Sequence, residues 1–206
     1  NIAHQLKTPI TAISLSTQMM KDKPSAEYIL QIQRQLKRLT HLEEALLLLS
    51  RIDAGALSLK KTSVDVFTLL TLAADNLQEL FEQEGVSTDI PEMGEVTINV
   101  DLEWTMEAVM NLFKNCLEHS PVGAVVHCSY EANPLYVQIR IWDEGKGFAK
   151  EDMPHLFDRF YRGKDAKKNS IGIGLSLAKE IIEMQNGMIS ASNLPTSGAC
   201  FEIRFY

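Results

Sequence analysis

Ile29, Ile32, Leu36, Leu39, Leu42, Leu46 and Leu49 return an apolar side chain to one face of a helix at heptad-like steps. No other feature limits the folding options of this chain so strongly, because a helix of that length must lay such a stripe against another helix. A partner lies just upstream. Ile2, Leu6, Ile10 and Ile13 recur at three- and four-residue steps, predicting an amphipathic helix that runs to about Lys21. Pro9 sits inside it and predicts a bend after His4, because it lacks the N–H that would bond the Gln5 carbonyl. Lys21-Asp22-Lys23-Pro24-Ser25 is a short polar turn, with Ser25 a good N-cap for the second helix. The short connection predicts an antiparallel hairpin. The stripe broadens at Leu46-Leu47-Leu48-Leu49, more apolar surface than one hairpin covers, so two hairpins are expected to pair as a four-helix bundle in a homodimer. Gly55 closes the helix, giving a hairpin domain over residues 1–56 and a linker over 57–63.

From Val64 the pattern changes. Asp65 is read as the cap of one helix carrying Phe67, Leu70, Ala74, Leu77 and Phe81, ended by Gly85. Val96 to Val100 reads as a short strand and Asp101 as the opening of another helix. Val125–Tyr130 and Leu135–Trp142 read as strands around an Asn133-Pro134 turn. Val137, Ile139 and Ile141 alternate with Tyr136, Gln138 and Arg140, so one face of the sheet is buried; Phe201, Ile203 and Phe205 repeat the alternation. The expected fold class is α+β: the helical hairpin, then over residues 64–206 an α/β sandwich with a mixed sheet covered by helices on one face.

A net charge of -7 argues against a nucleic-acid binder, which needs a basic patch. Cys116, Cys128 and Cys200 are odd in number and lack CxxC spacing, which suits a reducing cytoplasm and argues against both a disulfide framework and zinc. No apolar run approaches the ~20 residues of a membrane span. The chain begins in mid-helix without Met and reads as a fragment, with a sensor or membrane segment expected upstream.

The helix from Asp101 carries an apolar stripe (Leu102, Met106, Val109, Phe113, Leu117) and a polar one of Asn111, Asn115, Glu118 and His119. Asn is a poor helix former, so two in a helix interior point to use of their side chains. An amide oxygen is a neutral hard ligand suited to Mg²⁺ that already carries phosphates and waters. Asp143-Glu144-Gly145-Lys146-Gly147 follows the strand ending at Trp142; an acidic residue there can accept from an exocyclic amine while backbone closes over a flat ring. Ser170-Ile171-Gly172-Ile173-Gly174-Leu175 opens a helix through Met184, its glycines allowing backbone N–H groups near phosphate. Neither a Rossmann fingerprint nor a GxxxxGK[ST] loop is present. At the other end, His4 and Thr8 share a helix face within His4-Gln5-Leu6-Lys7-Thr8-Pro9.

That last string resembles the phosphoacceptor box of sensor histidine kinases of two-component systems. The ordered Asn stripe, Asp-x-Gly-x-Gly, Phe157-Asp-Arg-Phe160 and Gly-x-Gly-Leu resemble their Bergerat-fold ATP-binding domain, and the resemblance covers essentially the whole chain. It implies an ATP-dependent protein-histidine kinase with His4 as nucleophile, acting in the cytoplasm as part of a membrane-anchored bacterial protein, with a response regulator as partner. It further implies that Asn115 coordinates Mg²⁺ with Asn111 nearby, that Asp143 recognises adenine, and that Gly145 and Gly147 line the adenine pocket. Phe157 belongs to the phenylalanine motif. Gly172, Gly174 and Leu175 flank the phosphates at the end of a lid over about 159–170, whose Lys164, Lys167, Lys168 and Asn169 are polar. Arg162 looks like the arginine near the γ-phosphate. Three departures stand out. Glu118 and His119 occupy positions where relatives often carry Lys and Tyr, with Lys114 a possible substitute; Ser170 replaces a glycine; and Gln5 replaces the acidic residue after the phosphoacceptor. The rival readings are a response-regulator phosphatase in which Thr8 and Gln5 orient water, and a dimeric scaffold with a dead nucleotide pocket.

Overall fold

Ser25 does cap a helix: its hydroxyl accepts from Glu27 N at 3.2 Å. In the computed structural model, which describes residues 2–22, 24–163 and 171–206, the first two helices are α1 (Ile2–Asp22) and α2 (Ala26–Asp53), and α1 runs on through Pro9. The side chains of Ile2, His4 and Asp22 also lie outside the description. The chain forms two compact units that divide after Leu57.

Within the hairpin, α1 turns Gln5, Pro9 and Ser16 inward and α2 turns Leu42 and Leu49, the last two only 1% and 3% exposed. The seam is therefore not the stripe that the α1 periodicity marks. Leu6 and Ile10 stay exposed, as do Ile29 and Leu36 of α2, which are 47% and 50% exposed. Four of the ten described residues of the leucine–isoleucine pattern are thus left exposed by the hairpin itself.

The second unit begins inside the expected linker. Thr62 and Ser63 belong to β1 (Thr62–Asp65), which lies apart from the main sheet and pairs antiparallel with the Thr97–Val100 strand. The single helix expected from Asp65 to Gly85 is instead two, α3 (Val66–Asp75) and α4 (Gln78–Glu84). Asp65 caps α3 by accepting from Thr68 N at 2.8 Å, and Gly85 ends α4 in the left-handed region. The break falls at Asn76-Leu77, where the Asn76 amide reaches back to the Leu72 carbonyl at 2.8 Å, closing α3.

There follow β2 (Ser87–Asp89), β3 (Thr97–Val100), α5 (Leu102–His119), β4 (Val125–Ala132), β5 (Val137–Trp142), a 3-10 turn at Met153–His155, α6 (Gly174–Glu183), β6 (Gly187–Asn193) and β7 (Ala199–Phe205). The main sheet has the order β2-β4-β5-β7-β6, parallel between β2 and β4 and antiparallel elsewhere, so it is mixed. Val126, Cys128, Tyr130, Ile139, Ile141, Phe201 and Ile203 alternate onto one face and are buried, with α5 against β4 and β5, α6 against β6, and α3 packed on α5. The other face carries Arg140 over the Trp142 ring and Arg204 over the Tyr136 ring.

Two helices of the second unit are locked together by one buried amide. Gln185 Oε1 accepts from Asp101 N at 2.6 Å, while Gln185 Nε2 donates to Thr105 Oγ1 at 3.0 Å and to the Ile181 carbonyl at 3.2 Å. This ties the start of α5 to the end of α6, so both helices present their other residues in a fixed relation.

Candidate nucleotide and metal site

Asp101 opens α5 as its cap, accepting from Trp104 N at 3.2 Å and, on its other oxygen, from Lys60 N at 2.7 Å. The helix then buries Thr105, Ala108, Val109, Leu112, Phe113, Cys116 and Leu117. The 3.6-residue period leaves Glu107, Asn111, Lys114, Asn115 and Glu118 half-buried along the remaining stripe. Asn111 Nδ2 donates to the Glu107 carbonyl at 2.9 Å and to Glu107 Oε1 at 3.1 Å. Its Oδ1 faces Gly174, where a Cβ would lie 2.9 Å away and would press on this oxygen, so glycine at the first residue of α6 leaves the amide its place. Asn115 Oδ1 is buried and has no hydrogen-bond partner. An orphaned, neutral, hard oxygen on the same stripe fits a divalent cation such as Mg²⁺, which then replaces the missing bond.

Asp143, 1% exposed, follows β5. Its Oδ1 accepts from Gly145 N at 2.8 Å and Ala199 N at 3.2 Å, whereas its Oδ2 is buried without a partner. Burial pushes the carboxyl pKa up, against the lowering effect of the Gly145 and Ala199 amides and of His119. Cys116 lies beside it on α5, and burial, then this carboxylate, raises the thiol pKa. A buried acceptor with one oxygen satisfied and the other open suits a single donor such as an exocyclic amine. Gly145 packs on the His119 carbonyl, so a side chain there would collide with α5's last residue. The loop is clamped from β6, because Asn193 Oδ1 accepts from Phe148 N at 2.7 Å and Asn193 Nδ2 donates to the Phe148 carbonyl at 2.9 Å. Next to Asp143, Glu144 joins His127 and, through Val125 N, the start of β4.

Gly147 adopts φ 76° against Asn193, and Gly172 adopts φ 77° against the Tyr161 carbonyl. Phe160 N donates to the Gly172 carbonyl at 2.7 Å. Phe157 lies half-buried under Lys179 Nζ at 5.9 Å, and Leu175 is half-buried in the first turn of α6, which begins at Gly174. Arg162 is exposed. Residues 164–170, which hold most of the expected lid with its lysines and Asn169, lie outside the described residues. Thus Asn111 meets Gly174, and Asp143 meets Gly145 and His119. Thr8 is exposed on α1, and Gln5 is buried in the hairpin, where its Oε1 accepts from Arg38 Nη2 at 3.3 Å. Glu107 was missed in the sequence, although its place one helical turn before Asn111 is a signal that could have found it; the Arg38, Asn193 and Gln185 partnerships span long sequence separations and carry no local signal. Among the described residues no cluster of three or more His, Cys, Asp or Glu could hold a metal, and no helix is long and apolar enough to cross a membrane.

A family model described as histidine kinase-, DNA gyrase B- and HSP90-like ATPase matches residues 100–206, and the His kinase A (phospho-acceptor) domain model matches residues 1–55. The sensor protein SphS of Synechococcus elongatus is 33% identical over 225 residues, covering 98% of this chain and 52% of that protein. The histidine-protein kinase BaeS of Escherichia coli is 27% identical, covering 98% of this chain and 45% of its own length. The chain thus spans about half the length of these curated relatives. Histidine kinase AdeS of Acinetobacter baumannii superposes with a TM-score of 0.82 at 24% identity, over 98% of this chain and 96% of that one. Histidine kinase ThkA, solved in complex with the response regulator TrrA, superposes with a TM-score of 0.78 at 20% identity, over 99% and 59%. Both solved structures share the fold.

Proposed function

This chain belongs to the histidine kinase-, DNA gyrase B- and HSP90-like ATPase family as a sensor histidine kinase core, and from that premise we propose that it phosphorylates its own His4 from ATP and passes the phosphoryl group to an aspartate of a response regulator. The observation that carries the reading is the pair of buried, unpartnered oxygens, Asp143 Oδ2 and Asn115 Oδ1, on a chain that also holds a phosphoacceptor box. Asp143 Oδ2 accepts the adenine amino group, and Gly145 and Gly147 let backbone close over the ring. Asn115, with Asn111, holds Mg²⁺. When bound, that ion neutralises charge on the phosphates. Gly172 and Gly174 bring backbone N–H groups to the phosphates, Arg162 serves the γ-phosphate, and Phe157 and Leu175 line the approach. Lys114 and His119 supply phosphate and ring contacts at the far end of α5.

A neutral imidazole attacks phosphorus in line, forming the P–N bond at His4 as the bond to the leaving ADP oxygen breaks. Asn111 cannot take a proton from water, which favours transfer to His4 over hydrolysis. The protein works as a homodimer through residues 1–56, with 57–63 joining it to the catalytic domain at 64–206 and a membrane-anchored sensor attached elsewhere in the longer protein. The shared fold with ThkA, solved with a response regulator, supports that class of partner. A phosphatase reading is less favoured, because the Gln5 oxygen that would orient water is engaged by Arg38.

The test is to incubate the purified chain with Mg²⁺ and γ-labelled ATP and to assay acid-labile, alkali-stable phosphate. Label that disappears in His4→Ala, with nucleotide binding retained, is the expected result. Failure to bind any adenine nucleotide would instead make the chain a scaffold.

A further inference from the structure

We propose that Glu107 is a positioning residue for the metal site, holding the Asn111 side-chain amide so that its oxygen faces the metal and phosphates. The inference rests on the reading of Asn111 as a group on the magnesium side of the site.

The two ends of an Asn side chain are almost equal in shape, so packing alone scarcely decides which way the amide turns. Here the choice is made by two acceptors. The Glu107 carbonyl and Glu107 Oε1 sit 2.9 and 3.1 Å from Asn111 Nδ2 and take both of its hydrogens. Turning the amide over would set Asn111 Oδ1 against those two oxygens and leave both bonds unmade. It would also present an N–H group to a cation. With the amide held as it is, Oδ1 lies against the bare Cα of Gly174, where a Cβ would crowd it at 2.9 Å. The carbonyl alone engages one hydrogen, and every helix offers an i−4 carbonyl to its Asn residues. The carboxylate is what makes the orientation two-pronged.

A carboxylate beside a triphosphate is an odd choice for a surface position, since like charges repel. It becomes intelligible as a hydrogen-bond acceptor that fixes which way the amide turns, a task that depends on its oxygen and not on its charge. Glu107 and Asn111 are one turn apart on α5, so rigid helix backbone fixes the pair.

The experiment titrates Mg²⁺ into the whole chain with a fluorescent, non-hydrolysable ATP analogue, and repeats the nucleotide titration in EDTA. Glu107→Ala should raise the Mg²⁺ half-saturation about tenfold, the scale of losing one hydrogen bond, with metal-free affinity not reduced. Alanine is the best helix former, so α5 is retained in this variant. Glu107→Gln, whose amide oxygen still accepts from Asn111, should stay within about twofold of the parent. In ¹H–¹⁵N spectra the Asn111 side-chain amide signals should move upfield in Glu107→Ala and return towards the parent in Glu107→Gln. If Glu107→Ala leaves the Mg²⁺ half-saturation unchanged while Asn111→Ala raises it, the positioning role is wrong and the Asn111 reading stands. If neither variant changes it, the Asn111 reading itself has failed. A Glu107→Gln variant as impaired as Glu107→Ala would make the carboxylate a charge contributor or ligand, and would overturn the positioning role as well.

Discussion

A buried carboxylate with one oxygen satisfied and the other bare, as in Asp143, is costly unless a donor arrives to use it. Asp143→Asn keeps an oxygen for the Gly145 and Ala199 amides but turns an N–H₂ group toward the incoming amine. ATP binding should weaken about ten- to hundredfold, the scale of one unsatisfied buried polar group, while GTP affinity is little changed. Competition titrations with both nucleotides check this. Asn115→Ala should behave differently, losing the Mg²⁺-dependent part of binding for both nucleotides alike. Gln5 is a residue whose surroundings alter the expectation drawn from sequence. A carboxylate next to His4 would help accept the proton released as the ring is phosphorylated, yet Arg38 already bonds the Gln5 side chain. Gln5→Glu should therefore raise the autophosphorylation rate by only about tenfold, below the usual ~10²–10⁴ for general-base help, at unchanged ATP affinity. Single-turnover labelling at saturating Mg-ATP measures it, and Gln5→Leu should be slower than the parent.

At the level of elements, His127 latches three of them. Its ring nitrogens lie 3.1 Å from Asp89 at the end of β2 and 3.1 Å from Glu144 after β5, and it stacks on Trp142 at 5.3 Å. Burial would lower its pKa, but the bonds to Glu144 and Asp89 outweigh this and raise it above the ordinary value. A raised pKa in the folded state contributes stability that is complete below the ordinary ~6.5 and disappears as pH rises through the folded value. Between about pH 6 and 8 the melting temperature should fall with rising pH, and His127→Gln should flatten that slope in thermal melts at matched ionic strength. β2 also shows where sequence reading stops. It has three exposed residues, no alternation, and a parallel partner far along the chain, so no local pattern announces it. β6 was missed for a related reason: Gly187, Ile189 and Ala191 do alternate inward, but two of the three are small and only Gly187 is buried, so the apolar signal is weak. The helix break at Asn76 was invisible because the apolar period continues across it, whereas β5 and β7 were legible from strict alternation. In the site, residues in contiguous motifs were legible, but the clamps from Asn193 and Gln185 depend on tertiary contact.

For the whole molecule, the uncovered apolar surface of the hairpin is the dominant fact. Leu6, Leu39, Leu46 and Leu47 line one groove with Glu43, and Ile10, Ile29 and Leu36 remain exposed. Burying such side chains is worth roughly 1.5–3 kcal/mol each, which favours association. Leu39→Asp should shift the chain from dimer to monomer in sedimentation experiments, since a charge in an apolar seam has no partner. A monomeric parent chain would remove the basis for the dimer. The bond from Phe160 N to the Gly172 carbonyl has a different consequence, for how the sequence can change. It pins Phe160 just ahead of the first turn of α6, and because Gly172 holds φ 77° with the Tyr161 carbonyl where a Cβ would stand, position 172 admits glycine alone.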